Sequence, residues 1–254
     1  MPMPEGRAPR EGAVSIQRDT ACWTLTLDRG EKANALSAAM VEALIAGVEE
    51  AHGARVPVLA FEGRGRNLSA GFDFGDYESQ TEGDLLLRLV RIESLLQSIA
   101  RSPCLTVGFA HGRNFGAGVD LFAACRWRIA APEATFRMPG LGFGLVLGTR
   151  RFASIVGRDT AREVLESLAT LDAARAKEIG LVRRLAPREE WPAILEAASA
   201  TARTLTAESR AALHRALDPA THDADLADLV RSASAPGLKA RVARYLAEQR
   251  AARS

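Results

Sequence analysis

Two glycine-bearing segments carry the residue types and spacing best suited to chemistry. One is Asn67-Leu-Ser-Ala-Gly-Phe-Asp-Phe74, and the other is His111-Gly-Arg-Asn-Phe-Gly-Ala-Gly-Val-Asp-Leu121. Tight backbone packing alone accounts for most glycines. The second segment offers more, because Gly116 and Gly118 open a helix whose first N–H groups lack partners within the helix. Such a terminus stabilises negative charge. A further free N–H from the 70–73 turn, aimed at the same point, would complete a two-donor oxyanion hole. Other chemistries find little support. The chain has no Walker A loop, no GxGxxG after its first strand, no CxxC pair and no HExxH. His52, His111, His214 and His222 lie far apart in sequence, so a metal site or Ser-His-Asp triad would depend on the fold bringing them together.

The elements that must position these segments read as alternating strands and helices. Short apolar runs at Ala13–Gln17, Cys22–Asp28, Val56–Phe61, Cys104–Ala110 and Trp127–Ala131 predict strands. Ser37 caps a predicted helix with Met40, Leu44, Val48 and Ala51 on one face. Thr81 and Asp84 form a capping box before a stripe of Leu85, Leu89, Ile92, Leu96 and Ile99, which Pro103 ends. Gly116–Cys125 reads as a further helix. From Asp159 onward the pattern is helical, near 160–168, 173–179, 188–204, 207–216, 222–233 and 237–251. This order predicts an α/β first part with a helical appendage.

Composition excludes several classes. The 254 residues are 47% apolar and 25% charged, with a net charge of +2, which is too apolar and too balanced for a disordered chain. No run approaches the roughly 18–20 apolar residues of a membrane span. Lys32, Lys177 and Lys239 are the only lysines among 33 basic residues, and the arginines are scattered beside acids, as in Arg158-Asp159. A nucleic-acid footprint is a clustered patch, so no nucleic-acid partner is expected. Cys22, Cys104 and Cys125 cannot form a disulfide framework. The first residues, MPMPEGRAPREG, lack the apolar core of a secretory signal. A cytosolic location is the expectation.

Six collinear landmarks give the sequence a resemblance to the crotonase family, the enoyl-CoA hydratase/isomerase superfamily, over about residues 13–250. They are Arg29-Gly-Glu-Lys-Ala-Asn-Ala-Leu36, Ser69-Ala-Gly-Phe-Asp73, Gly112 through Cys125, Phe136-Arg-Met-Pro139, Leu141-Gly-Phe-Gly144 and Lys177-Glu-Ile-Gly-Leu-Val182. Residues 1–12, rich in Pro, Gly and charge, are expected to be mobile, and the resemblance implies a spiral of strand-strand-helix turns over 13–195. It implies a C-terminal helical region, 196–254, that packs a homotrimer or homohexamer. It also implies an acyl-CoA thioester as substrate, with no metal or redox cofactor. The Phe72 and Ala117 backbone N–H groups fall at the family's two oxyanion donors. Lys32 and Ala33 fall at the CoA adenosine end, and Ala70, Asp73, Phe74, Phe115, Gly116 and Gly140 are expected against the substrate. A solvated Lys32, and plain core packing of Phe72, Phe74 and Phe115, are the alternatives to substrate contact.

Departures from the family pattern decide which reaction to expect. The first of the two hydratase glutamates is replaced by Asp120 and the second by Gly140. The following Gly-rich loop is reduced to Leu147-Gly-Thr-Arg-Arg-Phe152. Two-glutamate water addition is therefore not expected. A single carboxylate can shuttle a proton between α and γ carbons, as an isomerase requires. Asp120 can equally be a helix-terminal acid with a structural role. Hydrolysis, decarboxylation and a catalytically silent acyl-CoA-binding protein are the other readings. His111 is expected as a satisfied core histidine.

Overall fold

The computed structural model describes residues 14–217 and 221–251. The expected mobile segment 1–12 lies outside them.

Alternation of apolar and polar side chains sets the first two strands. β1 (Val14–Arg18) pairs antiparallel with β2 (Cys22–Leu27), which turns Trp23, Leu25 and Leu27 inward. Helix α1 (Ala38–Gly53) starts where the Ser37 hydroxyl accepts a hydrogen bond from the Met40 N–H at 3.2 Å. Its buried face carries Met40, Leu44, Val48 and Ala51, the positions the spacing predicts. β3 (Val58–Gly63) begins two residues later than expected, after Pro57, and extends to Gly63 through its pairing with β2. Helix α2 (Glu82–Ala100) opens with the predicted box, the Thr81 Oγ1 and Asp84 Oδ2 atoms accepting each other's backbone N–H groups at 3.1 and 2.9 Å. β4 (Leu105–Ala110) is buried throughout.

The chain continues through β5 (Arg113–Phe115), α3 (Ala117–Ala124), β6 (Trp127–Ala130) and β7 (Thr135–Arg137). It then runs through α4 (Thr149–Val156), α5 (Arg158–Ser167), β8 (Thr170–Asp172), α6 (Ala173–Glu178) and β9 (Arg184–Leu185). Four helices complete the described chain: α7 (Trp191–Ala202), α8 (Ala207–Leu217), α9 (His222–Ala233) and α10 (Leu238–Ala251).

The main sheet has the order β1-β2-β3-β4-β6-β9, parallel from β2 to β9. Parallel strands need crossovers and covered faces. One face packs on α1, α2 and α3, and the other receives Trp191, Ile194 and Ala198 of α7 against Val58, Val107 and Phe109. Trp191 stacks on Phe109 with centroids 4.7 Å apart. In a second sheet, β5-β7-β8, strand β5 leads through Gly116 into the start of α3. Its strands span three residues each, too few for alternation to reveal them in sequence. The stretch 147–152, expected as a shortened loop, instead enters α4 at Thr149, with a left-handed Gly148 as N-cap whose carbonyl accepts the Phe152 N–H at 2.8 Å. No helix among the described residues is long and apolar enough to cross a membrane.

Candidate active site

The two glycine segments meet. The Ser69 hydroxyl donates to the Asn34 carbonyl at 2.7 Å and accepts from the Gly71 N–H at 3.1 Å, which fixes the turn. Gly71 has φ +81°, and a Cβ there would fall 2.4 Å from the Phe115 carbonyl oxygen and 3.1 Å from the Ala117 nitrogen. A Cβ on Gly118 would fall 2.4 Å from the Ser69 carbonyl oxygen. These glycines are therefore places where one backbone lies against the other.

The same packing leaves two N–H groups without partners. Leu36 pairs with Phe72 in a short parallel bridge, its N–H donating to the Gly71 carbonyl at 2.7 Å and its carbonyl accepting from the Asp73 N–H at 3.3 Å. In parallel pairing a residue bonds to the two neighbours of its partner, so the partner's own N–H points the other way. The Phe72 N–H is thus turned from Leu36. Ala117 is the first residue of α3, where an N–H has no intrahelical acceptor. The Gly116 carbonyl is already used by the Val119 and Asp120 N–H groups. Among the described residues, neither the Phe72 nor the Ala117 N–H donates to another protein group.

Both residues line a cavity of about 800 Å³. Of the residues expected against substrate, Ala33, Ala70, Phe74, Phe115, Gly116 and Gly140 also line it, as does Asp120. Lys32 and Asp73 do not. Lys32 is exposed at the end of a short helical turn, Gly30–Lys32. The left-handed Ala33 and Asn34 that follow carry the chain onto the cavity wall, and the Ala33 carbonyl accepts the Ala70 N–H at 2.9 Å. Asp73 faces Arg29, 2.9 Å away, and accepts from the Gly75 N–H at 3.0 Å. Burial pushes the Asp73 carboxyl up, but these partners outweigh it and hold it below its usual range.

Three regions of the wall were not legible in the sequence. Helix α10 contributes Tyr245, Leu246, Gln249 and Arg250, although its pattern shows only that it is a helix. Phe143 reaches in from the turn after Gly140, edge-on to Phe74 at 6.1 Å and 5.0 Å from Tyr245. Arg66, Arg113 and Arg250 give this wall its positive charge. Behind the donor turn, Arg88 lies over the Phe72 ring at 4.2 Å and donates to the Asp73 carbonyl at 2.7 Å.

Asp120 is one turn into α3 and only 3% exposed. Its Oδ1 has no hydrogen-bond partner among the described residues. A Cβ on Gly148 would fall 1.9 Å from that oxygen, so the glycine makes room for the carboxylate. Burial pushes the carboxyl well above its usual range; the Arg151 charge opposes that and the Glu93 charge adds to it. His111 is buried, with Nε2 2.9 Å from the Gly65 carbonyl and its ring beside Trp191. Those contacts place it in the core as expected, but its buried Nδ1 has no hydrogen-bond partner among the described residues, so the ring is satisfied on one side only. No cluster of three or more His, Cys, Asp or Glu side chains among the described residues could hold a metal ion.

The sequence profile described as enoyl-CoA hydratase/isomerase matches residues 17–236. The Mycobacterium tuberculosis protein echA6, assigned as an enoyl-CoA hydratase, is 32% identical over 187 residues, covering 71% of this chain and 74% of that one. The ethylmalonyl-CoA decarboxylase of Pongo abelii is 28% identical over 193 residues, covering 74% of this chain and 64% of that one. A Bordetella parapertussis crystal structure, assigned as an enoyl-CoA hydratase/isomerase, has a TM-score of 0.91. It is 61% identical and covers 92% of this chain and 98% of its own.

Proposed function

Because this chain belongs to the enoyl-CoA hydratase/isomerase family, we propose that it moves a double bond in an acyl-CoA thioester with one carboxylate, Asp120. The observation that carries this reading is the cavity's pairing of two partnerless N–H groups with a single buried carboxylate, in a wall where Gly140 adds no side chain. The ionised Asp120 takes a proton from the α carbon. The C–H electron pair moves into the thioester, and negative charge develops on its oxygen. The Phe72 and Ala117 N–H groups receive that charge, each contributing about 3–4 kcal/mol of barrier lowering. Return of the electron pair forms the α,β double bond, while the π pair of the substrate's β,γ double bond takes the proton back from Asp120 at the γ carbon. A carboxylate of raised proton affinity is the better base for a weak carbon acid.

Decarboxylation is the second reading, supported by the likeness to the ethylmalonyl-CoA decarboxylase. Loss of carbon dioxide leaves the same enolate, and Asp120 in its acid form would supply the proton. The apolar, partly aromatic wall of Phe72, Phe74, Phe143 and Tyr245 suits a bulky or aromatic acyl group. Arg66, Arg113 and Arg250 suit the phosphates of coenzyme A. Leu205, Leu213 and Leu217 are exposed, which supports self-association as a trimer or hexamer through the C-terminal helices. A cytosolic setting fits three unpaired cysteines.

The test is mass spectrometry of products from a thioester panel in heavy-oxygen water. Isomerisation gives a mass-neutral shifted alkene. Hydration and hydrolysis incorporate the label, and decarboxylation loses 44 mass units by its chemistry. Binding of every thioester with turnover of none would contradict an enzymatic role.

A further inference from the structure

Behind Asp120 lies a buried charged pair that the proposed reaction does not use directly. Glu93 sits on the apolar stripe of α2, 1% exposed, between Leu89 and Leu96. Its Oε1 accepts from Arg151 Nη2 of α4 at 3.1 Å and from Gln97 Nε2 at 3.0 Å. Gln97 also donates to the His222 carbonyl at the start of α9, which anchors the pair. Neither Glu93 nor Arg151 lines the cavity. The buried atoms that lack a hydrogen-bond partner among the described residues include Glu93 Oε2, Arg151 Nη1, Asp120 Oδ1 and His222 Nδ1.

Asp120 Oδ1 rests against Gly148, three residues before Arg151 at the start of α4, yet of the two carboxylates only Glu93 is bonded to the guanidinium. A buried carboxylate without a bonded cation is driven toward its neutral form. Arg151 of α4 lowers the Asp120 proton affinity and Glu93 of α2 raises it, and both charges also act on His222 at the start of α9.

We propose that Glu93 is a positioning residue for Asp120: by holding Arg151 it keeps the guanidinium from pairing with Asp120, so that Asp120 is kept as a proton carrier. Arg151 without Glu93 would be free to neutralise Asp120 and fix it in the ionised form. The inference rests on the reading of Asp120 as the proton-transfer group, and its test separates the two.

The measurement is infrared titration of the Asp120 carboxylic-acid band, identified by its loss in Asp120→Asn, alongside the pH profile of kcat/KM. Glu93→Gln retains the side-chain shape and removes the charge. Its Asp120 midpoint is expected to fall by about 1–3 pH units, and the acid limb of kcat/KM to follow. Arg151→Gln is expected to move both upward. Opposite shifts from two members of one ion pair are not produced by a merely structural role, and Arg151→Gln serves if Glu93→Gln does not fold. Unmoved midpoints in folded variants overturn the Glu93 proposal, even with Asp120→Asn inactive. Opposite shifts with a fully active Asp120→Asn support the electrostatic control and overturn the proton-transfer reading.

Discussion

On the donor side of the cavity the groups on offer are backbone N–H groups, held where Gly71 and Gly118 let two segments touch. On the carboxylate side they are side chains: Asp120 in the space left by Gly148, with Glu93 and Arg151 behind it. The donor side tolerates changes of side chain, and Phe72 and Ala117 stand there without harm to the N–H geometry. The carboxylate side depends on identity and charge at each position. Under the proposed function, one cavity can therefore keep its backbone donors while its proton chemistry changes.

The comparison is broken most severely from the donor side. Gly71→Ala places a Cβ 2.4 Å from the Phe115 carbonyl at φ +81°, separating the turn from α3. A shift of about 1 Å in reacting groups costs about 100-fold, so kcat/KM should fall by at least about that factor in steady-state assays. Asp120→Asn should lower kcat by about 10²–10⁴-fold while thioester affinity, read by calorimetry, changes little. Arg88→Ala removes the stack on Phe72 and the hydrogen bond to the Asp73 carbonyl. It should cost about tenfold in kcat/KM, mainly through kcat, because it loosens one donor and leaves the other in place.

The smallest effect is on stability and reads the carboxylate side alone. The folded state raises the proton affinity of Asp120 above its ordinary value of 3.8. Burial therefore costs nothing below that pH, where both states are protonated. The cost grows as pH rises from 3.8 toward the raised folded value. Asp120→Asn should match wild type in melting temperature at low pH and exceed it at neutral pH. A constant difference across that window would show that Asp120 has ordinary proton affinity.

Much of this arrangement was legible in the sequence. Periodicity identified α1 and α2 with their caps, and glycine spacing pointed to the turn at 70–73 and the start of α3. What remained hidden follows from physical causes. β5, β7 and β8 are too short to show alternation, and Gly148 starts a helix in a stretch that reads as a loop. Glu93 interrupts an apolar stripe, and such a break signals a buried charge only when its partner is known. Arg151 is 58 positions away on another helix. The cavity wall supplied by α10 is likewise a product of tertiary packing.

The central claim is that the Phe72 and Ala117 N–H groups hold the thioester oxygen while Asp120 faces the carbon that gives up its proton. A crystal structure with a bound, non-reactive acyl-CoA analogue tests it most directly. The prediction is a carbonyl oxygen about 2.7–3.1 Å from both nitrogens, with an Asp120 oxygen facing the α carbon. A carbonyl lying far from both N–H groups, or an acyl chain directed away from Asp120, would contradict it.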